Sequence, residues 1–355
     1  MSANHHYPPL AVIICLLIPC SPGFGGPPEQ PAPDGKYLTR DEIVKKYDQD
    51  GDGQLSQPGQ RPVRNPGNRP ARFPKNVSVE RDVVYGDAGS RPLKLDLILP
   101  QAKSNAPLPL IVFIHGGGWR NGDKAGGASR LLPLVATGNY VGATIDYRLS
   151  GESIWPAQIH DCKAAIRWLR ANARKYHIDP ERIGVWGTSA GGHLVNMLGT
   201  SGGVKELEGD GGSPDQSSRV HCVVPFCGPT NFLAGKKFES GRRPSAVDKL
   251  LGGMIEDEQE LAKQASPITY VSEDDPPFLI VHGTDDKTVP FEQAEMFHEA
   301  LRQADVDVTL VKIVGGGHGI GGEAVLQRVN AFFDKHLRGQ DVDVSAEPIE
   351  APNRR

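Results

Sequence analysis

The sequence lacks any apolar run long enough to cross a bilayer. Its one strongly hydrophobic stretch, Leu10 to Ile18, is about half of the ~20 residues a spanning helix needs. It also lacks a basic excess: 39 Lys and Arg stand against 43 Asp and Glu, a net charge of -4. That balance leaves no electrostatic footprint for nucleic acid. Cysteine is scarce, with 5 in 355 residues. Cys15 and Cys20 fall beside the apolar run, so Cys162, Cys222 and Cys227 are left for the body of the chain. Three thiols cannot form a complete disulfide framework. A Cys222–Cys227 bridge requires a strand to end between them, whereas three buried free thiols need no such condition.

What is present begins with a short apolar core behind a start that holds His5 and His6 but no Lys or Arg. Residues 1–25 read as a signal peptide, which implies a secreted or periplasmic protein with no transmembrane segment in the mature chain. Leu17-Ile18-Pro19-Cys20 resembles a lipoprotein cleavage box, with lipid anchoring at Cys20 as the alternative, although Pro19 stands where a small residue is required. Residues 26–75 are rich in Pro and Gly and read as a linker. Within it Thr39 can cap a short helical turn that runs into Asp48-Gln49-Asp50-Gly51-Asp52-Gly53-Gln54. Carboxylates at alternate positions with a glycine at the bend match the first half of an EF-hand loop, so Asp48, Asp50, Asp52 and the Gln54 carbonyl form a candidate weak calcium site. The second half departs from the pattern, because Gly59 occupies the place of the closing bidentate Glu.

From residue 76 to 338 short apolar strands alternate with longer amphipathic stretches, the pattern of a mostly parallel sheet with helices on both faces. Eight strands are expected, near Ser78–Tyr85, Leu93–Leu99, Leu110–His115, Val141–Tyr147, Ile183–Trp186, Val220–Pro225, Phe278–His282 and Val308–Ile313. One long helix is expected over Ala157–Tyr176 and another over Phe291–Gln303. The polar, glycine-rich segment from Thr200 to Gln216 reads as a mobile loop, and residues 339–355, acidic and then Pro-containing, as a flexible tail.

Chemistry concentrates in four places. Gly187-Thr188-Ser189-Ala190-Gly191 fits a nucleophile elbow, in which small neighbours allow a tight turn that exposes the serine hydroxyl. Gly199-Thr200-Ser201-Gly202-Gly203 fits as well, but only Ser189 has a strand before it and a helix after it. His115-Gly116-Gly117-Gly118-Trp119 follows an apolar strand. There the amides of Gly117 and Gly118, with that of Ala190, can approach a developing oxyanion without obstruction. His282-Gly283-Thr284-Asp285-Asp286 supplies two candidate acids at a strand end, either of which could orient a histidine. Of the three histidines that follow, His298 and His336 lie in helical patterns, whereas His318 lies in a glycine loop after the last strand. Trp119, Tyr147 and Trp155 are candidate pocket-lining aromatics.

Together with Asp146-Tyr147-Arg148-Leu149-Ser150, Trp155-Pro156-Ala157-Gln158-Ile159-His160-Asp161 and Trp186 to His193, these motifs make residues Leu110 to Leu337 resemble the hormone-sensitive-lipase-like α/β-hydrolases. Among them the resemblance is to the bacterial feruloyl and carbohydrate acetyl esterases. It implies an α/β-hydrolase fold and carboxylic-ester hydrolysis through an acyl-enzyme on Ser189. His318 would be the general base, with no metal or other cofactor required. It also places the acid four residues after His282, which selects Asp286 over Asp285. The implied substrates are short-acyl or hydroxycinnamoyl esters, of small molecules or of carbohydrates. An arylformamidase or peptidase-like amide hydrolase and a catalytically silent scaffold are the competing readings.

Overall fold

The computed structural model describes residues 74–102, 104–234 and 244–351, all within the unit Phe73–Arg355. Residues 1–73, which hold the segment read as a signal peptide, most of that read as a linker and the aspartate-rich turn at Asp48, Asp50, Asp52 and Gln54, lie outside the described residues. Nine strands form one sheet: β1 (Val77–Asp87), β2 (Pro92–Pro100), β3 (Leu108–Ile114), β4 (Val141–Ile145), β5 (Ile178–Thr188), β6 (Cys222–Phe226), β7 (Phe278–Gly283), β8 (Val308–Val314) and β9 (Ile349–Glu350). Their order is β1-β2-β4-β3-β5-β6-β7-β8-β9. Only β1/β2 and β2/β4 pair antiparallel; the remaining pairs are parallel. Eight α-helices connect them: α1 (Ala128–Val135), α2 (Ala157–Ala171), α3 (Ala173–Tyr176), α4 (Ala190–Thr200), α5 (Ala246–Leu251), α6 (Gln259–Gln264), α7 (Glu292–Gln303) and α8 (Glu323–Arg338).

The central strands are apolar throughout because both faces of the sheet are covered. Successive side chains point to opposite faces, so β3 contributes Leu110, Val112 and Ile114 to one core cluster and Ile111 and Phe113 to the other. On the second face Trp186 meets Phe113 and Phe226 edge-on, with ring centroids 5.6 and 5.4 Å away.

Three expectations are corrected. The helix expected over Ala157–Tyr176 is two helices. At Asn172 the backbone leaves the helical range (φ -97°, ψ 10°), and its side-chain amide donates to the Trp168 carbonyl at 2.9 Å, a local bond that competes with the helical ladder. The segment expected as a flexible tail carries β9, which pairs with β8. Val344, Ile349 and Ala351 pack against the core there, covering an edge that would otherwise expose unpaired backbone groups. The segment read as a mobile loop, Thr200 to Gln216, is held by two cations of α2. Lys163 donates to Ser201 O at 2.6 Å and Arg167 to Gly211 O at 2.7 Å, while Arg170 fixes the chain just beyond it at Arg219 O, 2.8 Å away. Cys162, Cys222 and Cys227 are buried free thiols, so no bridge joins Cys222 and Cys227. Among the described residues, no helix is long and apolar enough to cross a membrane.

Candidate active site

β5 ends at Thr188 and α4 begins at Ala190, which leaves Ser189 alone in the turn with φ 57° and ψ -119°. A non-glycine residue holds such a conformation only where its surroundings over-determine it. Here the Ser189 N–H donates to Phe226 O at 2.8 Å, and its carbonyl accepts from His193 N at 2.9 Å. The first turn of α4 also passes so close to β3 that a Cβ on Gly191 would lie 2.1 Å from Ile114 O, so only glycine fits. Ser201, in the second matching pentapeptide, is fully buried. Its hydroxyl donates to Met197 O at 2.6 Å, which makes it a helix cap.

His318 stands in the loop after β8. Its Nε2 lies 2.9 Å from Ser189 Oγ, and its Nδ1 lies 2.7 Å from Asp286 Oδ2. With the proton on Nδ1 donated to the carboxylate, Nε2 is left as the acceptor for the serine hydroxyl. Asp286 follows β7 and has no exposed side-chain surface. Its Oδ1 accepts from Thr288 N at 2.8 Å and Val289 N at 3.0 Å. Burial alone would raise its pKa. Hydrogen bonding with His282 and His318 and from the two amides outweighs that and holds the carboxyl well below the usual carboxylate range. Asp285 is exposed, and its N–H ties down the histidine loop at Gly316 O, 2.8 Å away.

One contributor is not assigned a role by sequence. His282 Nε2 lies 3.3 Å from Asp286 Oδ2 and 2.9 Å from Val289 O, so it supports the carboxylate from behind. Its four-residue spacing from Asp286 is the signal that carries it. Cys227 also approaches the group, its thiol donating to His318 O at 3.4 Å. Its sulfur, a His318 nitrogen and an Asp286 oxygen lie within 4.8 Å of one another. Burial pushes the thiol pKa up to about 12, so sulfur is a protonated packing group there rather than a thiolate ligand.

The glycine loop after β3 abuts the elbow, since a Cβ on Gly116 would fall 3.3 Å from Ser189 Cβ. Gly117 adopts φ 113° and Gly118 φ 61°, values that L side chains rarely adopt. Among the described residues, no acceptor meets the amides of Gly117, Gly118 or Ala190.

The three aromatics expected to line a pocket belong to the core instead. Trp119, Tyr147 and Trp155 are 3, 1 and 2 % exposed, and each polar tip finds an internal partner. The Tyr147 hydroxyl donates to His115 O at 3.1 Å, Trp155 Nε1 to Gln264 Oε1 at 3.0 Å and Trp119 Nε1 to His193 Nδ1 at 3.2 Å. The conspicuous arginine and aspartate of the flanking motifs pair with each other. Arg148 Nε lies 2.8 Å from Asp161 Oδ2 and Nη2 lies 2.6 Å from Oδ1, a two-pronged pair that anchors the loop after β4 onto α2.

A serine on a strand-to-helix elbow, followed in chain order by an acid after β7 and a histidine after β8, defines an α/β-hydrolase. The chain belongs to the BD-FAE family, whose model matches residues 95–301. It is 33% identical over 242 residues to Esterase LipC of Mycobacterium tuberculosis, an alignment that covers 67% of this chain and 59% of LipC. The chain spans between 51 and 59% of the length of the curated relatives first matched. Among solved structures it is similar to a truncated carbohydrate esterase from gut microbiota, with TM-score 0.67 and 32% identity, covering 74% of this chain and 96% of that one. It is also similar to the propionate-bound Est2 esterase of Thermogutta terrifontis, with TM-score 0.61 and 28% identity, covering 75% of this chain and 94% of Est2.

Proposed function

We propose that this chain is a serine carboxylic-ester hydrolase that works through an acyl-enzyme on Ser189. The observation that carries this reading is the continuous relay from Ser189 Oγ through His318 to Asp286, at 2.9 and 2.7 Å, beside three amides that meet no acceptor among the described residues. His318 Nε2 takes the hydroxyl proton as Ser189 Oγ bonds to the ester carbonyl carbon, and the carbonyl electron pair moves onto oxygen. The Gly117, Gly118 and Ala190 amides hold that oxyanion, a contribution of about 3 kcal/mol per donor in comparable sites. The tetrahedral species collapses by breaking the C–O bond to the alcohol, which leaves with the proton from His318. A water then attacks the acyl-enzyme with the same histidine as base, and the acid departs. Asp286 keeps the imidazole in the required tautomer and balances its transient positive charge.

Short-acyl or hydroxycinnamoyl esters, including those carried by carbohydrates, are the substrate class. Support comes from the solved neighbours, one named a carbohydrate esterase and one bound to propionate. The test is hydrolysis of a chromogenic acetate ester by the wild-type protein beside Ser189→Ala and Ser201→Ala. Turnover that falls at least about 10⁴-fold in the first variant and persists in the second is the expected result. A folded wild-type protein without turnover overturns the proposal and leaves the amide-hydrolase and silent-scaffold readings. Two features of the N-terminal region complete it. The Leu10 to Ile18 run supports export, checked by fractionation and the mature N-terminus. The aspartates at Asp48, Asp50 and Asp52, with the Gln54 carbonyl, support weak calcium binding, checked by calorimetry on the full chain.

A further inference from the structure

Four residues beyond Ser189, on the first turn of α4, lies a histidine that the relay does not use. His193 is fully buried, and both ring nitrogens are engaged. Nδ1 faces the indole N–H of Trp119 at 3.2 Å, and Nε2 faces the carbonyl of Ala265 at 2.7 Å. An indole can only donate and a carbonyl can only accept, so the ring is neutral with its proton on Nε2. Around it stand Trp119, Phe232 and Trp155, with centroids 5.2, 5.1 and 5.6 Å away. These belong to the loops after β3, β6 and β4. Ala265, just after α6, is tied in as well, because the neighbouring Ser266 Oγ accepts from Phe232 N at 2.9 Å.

The first partner matters most. Trp119 directly follows Gly118, in the loop whose Gly117 and Gly118 amides meet no acceptor among the described residues, and Trp119 itself sits at φ 55°. The other hydrogen bonds of that loop do not reach α4: the Tyr147 hydroxyl donates to His115 O at 3.1 Å, His115 Nδ1 lies 2.8 Å from Gly116 O, Arg120 N and Asn121 N reach Gly117 O at 3.3 and 3.2 Å, and Trp119 O accepts from Ser150 N at 2.7 Å. The Trp119 indole is therefore its side-chain anchor to the elbow helix, and the anchor point is an imidazole on the helix that also carries the Ala190 amide. We propose that His193 is a positioning residue that holds the Gly117–Gly118 amides in register with Ser189 and Ala190, so that the three donors converge on one oxygen. Displacing one partner by about 1 Å is enough to weaken such convergence severely. Being buried behind the reacting atoms, His193 touches no substrate.

This inference rests on the esterase reading, and wild-type turnover on a chromogenic acetate is measured first so that the two can fail separately. In an active protein, His193→Leu removes both polar contacts and is expected to lower kcat at least about tenfold with KM within about twofold. His193→Gln, whose amide offers an acceptor and a donor, is expected to restore kcat to within about threefold of wild type. The discriminating readout is affinity for a short-chain alkyl trifluoromethyl ketone. Ser189 Oγ adds to its carbonyl carbon, the proton passes to His318, and the oxygen becomes an oxyanion. Its inhibition constant should rise with His193→Leu by the same factor as kcat falls, and recover with His193→Gln. Trp119→Phe removes the indole donor while keeping a ring; it should reproduce both losses, and it carries the test if His193→Leu does not fold. Overturning results are a kcat within threefold of wild type in folded His193→Leu or Trp119→Phe, a loss confined to KM, or His193→Gln as slow as His193→Leu.

Discussion

Replacing Asp286 by Asn keeps the shape of the acid and reverses what it asks of His318. In the wild type, Oδ1 accepts from the Thr288 and Val289 amides at 2.8 and 3.0 Å, and Oδ2 accepts from His318 Nδ1 at 2.7 Å. An asparagine must keep its oxygen toward the two amides, because its NH₂ cannot accept from them. The NH₂ then faces His318 Nδ1 and forces that nitrogen to be an acceptor, which moves the imidazole proton to Nε2. A protonated Nε2 donates to Ser189 Oγ and cannot take its proton. The expected consequence is a fall in kcat on the order of 10⁴-fold, the size seen when the same tautomer error is imposed on another serine hydrolase. The two amide bonds survive, so the fold should lose only about 1–3 kcal/mol. The assay is steady-state hydrolysis of a chromogenic acetate at neutral pH, paired with urea unfolding. A folded variant with kcat within tenfold of wild type would refute the tautomer argument. The wild-type acid also has a pH signature. Its folded pKa is depressed, so the stability it adds is complete above about pH 4, the ordinary aspartate value, and is lost only as pH falls toward the folded value. Loss of activity on acidification above pH 4 therefore belongs to another group.

Two further outcomes follow from buried polar groups. Burial pushes the His193 pKa down to about 4. The unfolded chain thus takes up a proton that the folded one resists, and stability present above about pH 6.5 should fall by on the order of 3 kcal/mol as pH drops through 4; urea midpoints of wild type and His193→Gln should converge along that range, and parallel curves would contradict it. Asp161→Asn leaves Arg148 facing a neutral amide in a pair whose aspartate side chain is 3 % exposed, which should cost about 2–3 kcal/mol in urea unfolding once the partial exposure of the arginine is discounted; a change under 0.5 kcal/mol would show the pair to be idle.

The sheet was legible because its signal is local. Apolar runs such as Leu110 to Ile114 lie between turn residues, and the strand-then-helix context around Ser189 is written within about twenty positions. Those cues alone separate Ser189 from Ser201, and the same local context sets His318, rather than His298 or His336, in a loop at a strand end. What could not be read depends on partners distant in the chain. The Trp119 indole finds His193 74 positions away, and β9 exists because β8 leaves an edge open. The aromatic residues misled for a related reason: a tryptophan beside a catalytic motif looks the same in sequence whether it faces a ligand or braces a loop, and only its burial and the partner of its N–H decide.

The connection between α4 and β6 shows how the same long-range information separates scaffold from site. Ser189 stands at the carboxyl end of β5, and α4, at 11 residues, climbs back about 16 Å; the chain then runs along α2, with Glu206 O 3.0 Å from His160 Nε2 and Arg219 O accepting from Arg170 at 2.8 Å. The segment does not swing free as a lid. Instead Glu208 binds fully buried Lys163 at 2.7 Å and Arg167 at 3.0 Å, and Ser218 donates to it at 2.8 Å. Burial alone would raise the Glu208 pKa, but hydrogen bonding from Lys163 and the charge of that lysine hold it below the usual range. Burial pulls Lys163 the other way from its ordinary value, downward, so the lysine is the partner that depends on the pair. Glu208→Gln removes the negative charge that two buried cations share, and breaking such a pair costs about 3–5 kcal/mol. The expected outcome is a large drop in the urea midpoint, while kcat and KM on a chromogenic acetate, measured well below the unfolding transition, stay within twofold of wild type. A kcat that fell together with the midpoint would mean that the Glu208 anchor shapes the site after all, and the division between anchoring segment and reacting site would have to be abandoned.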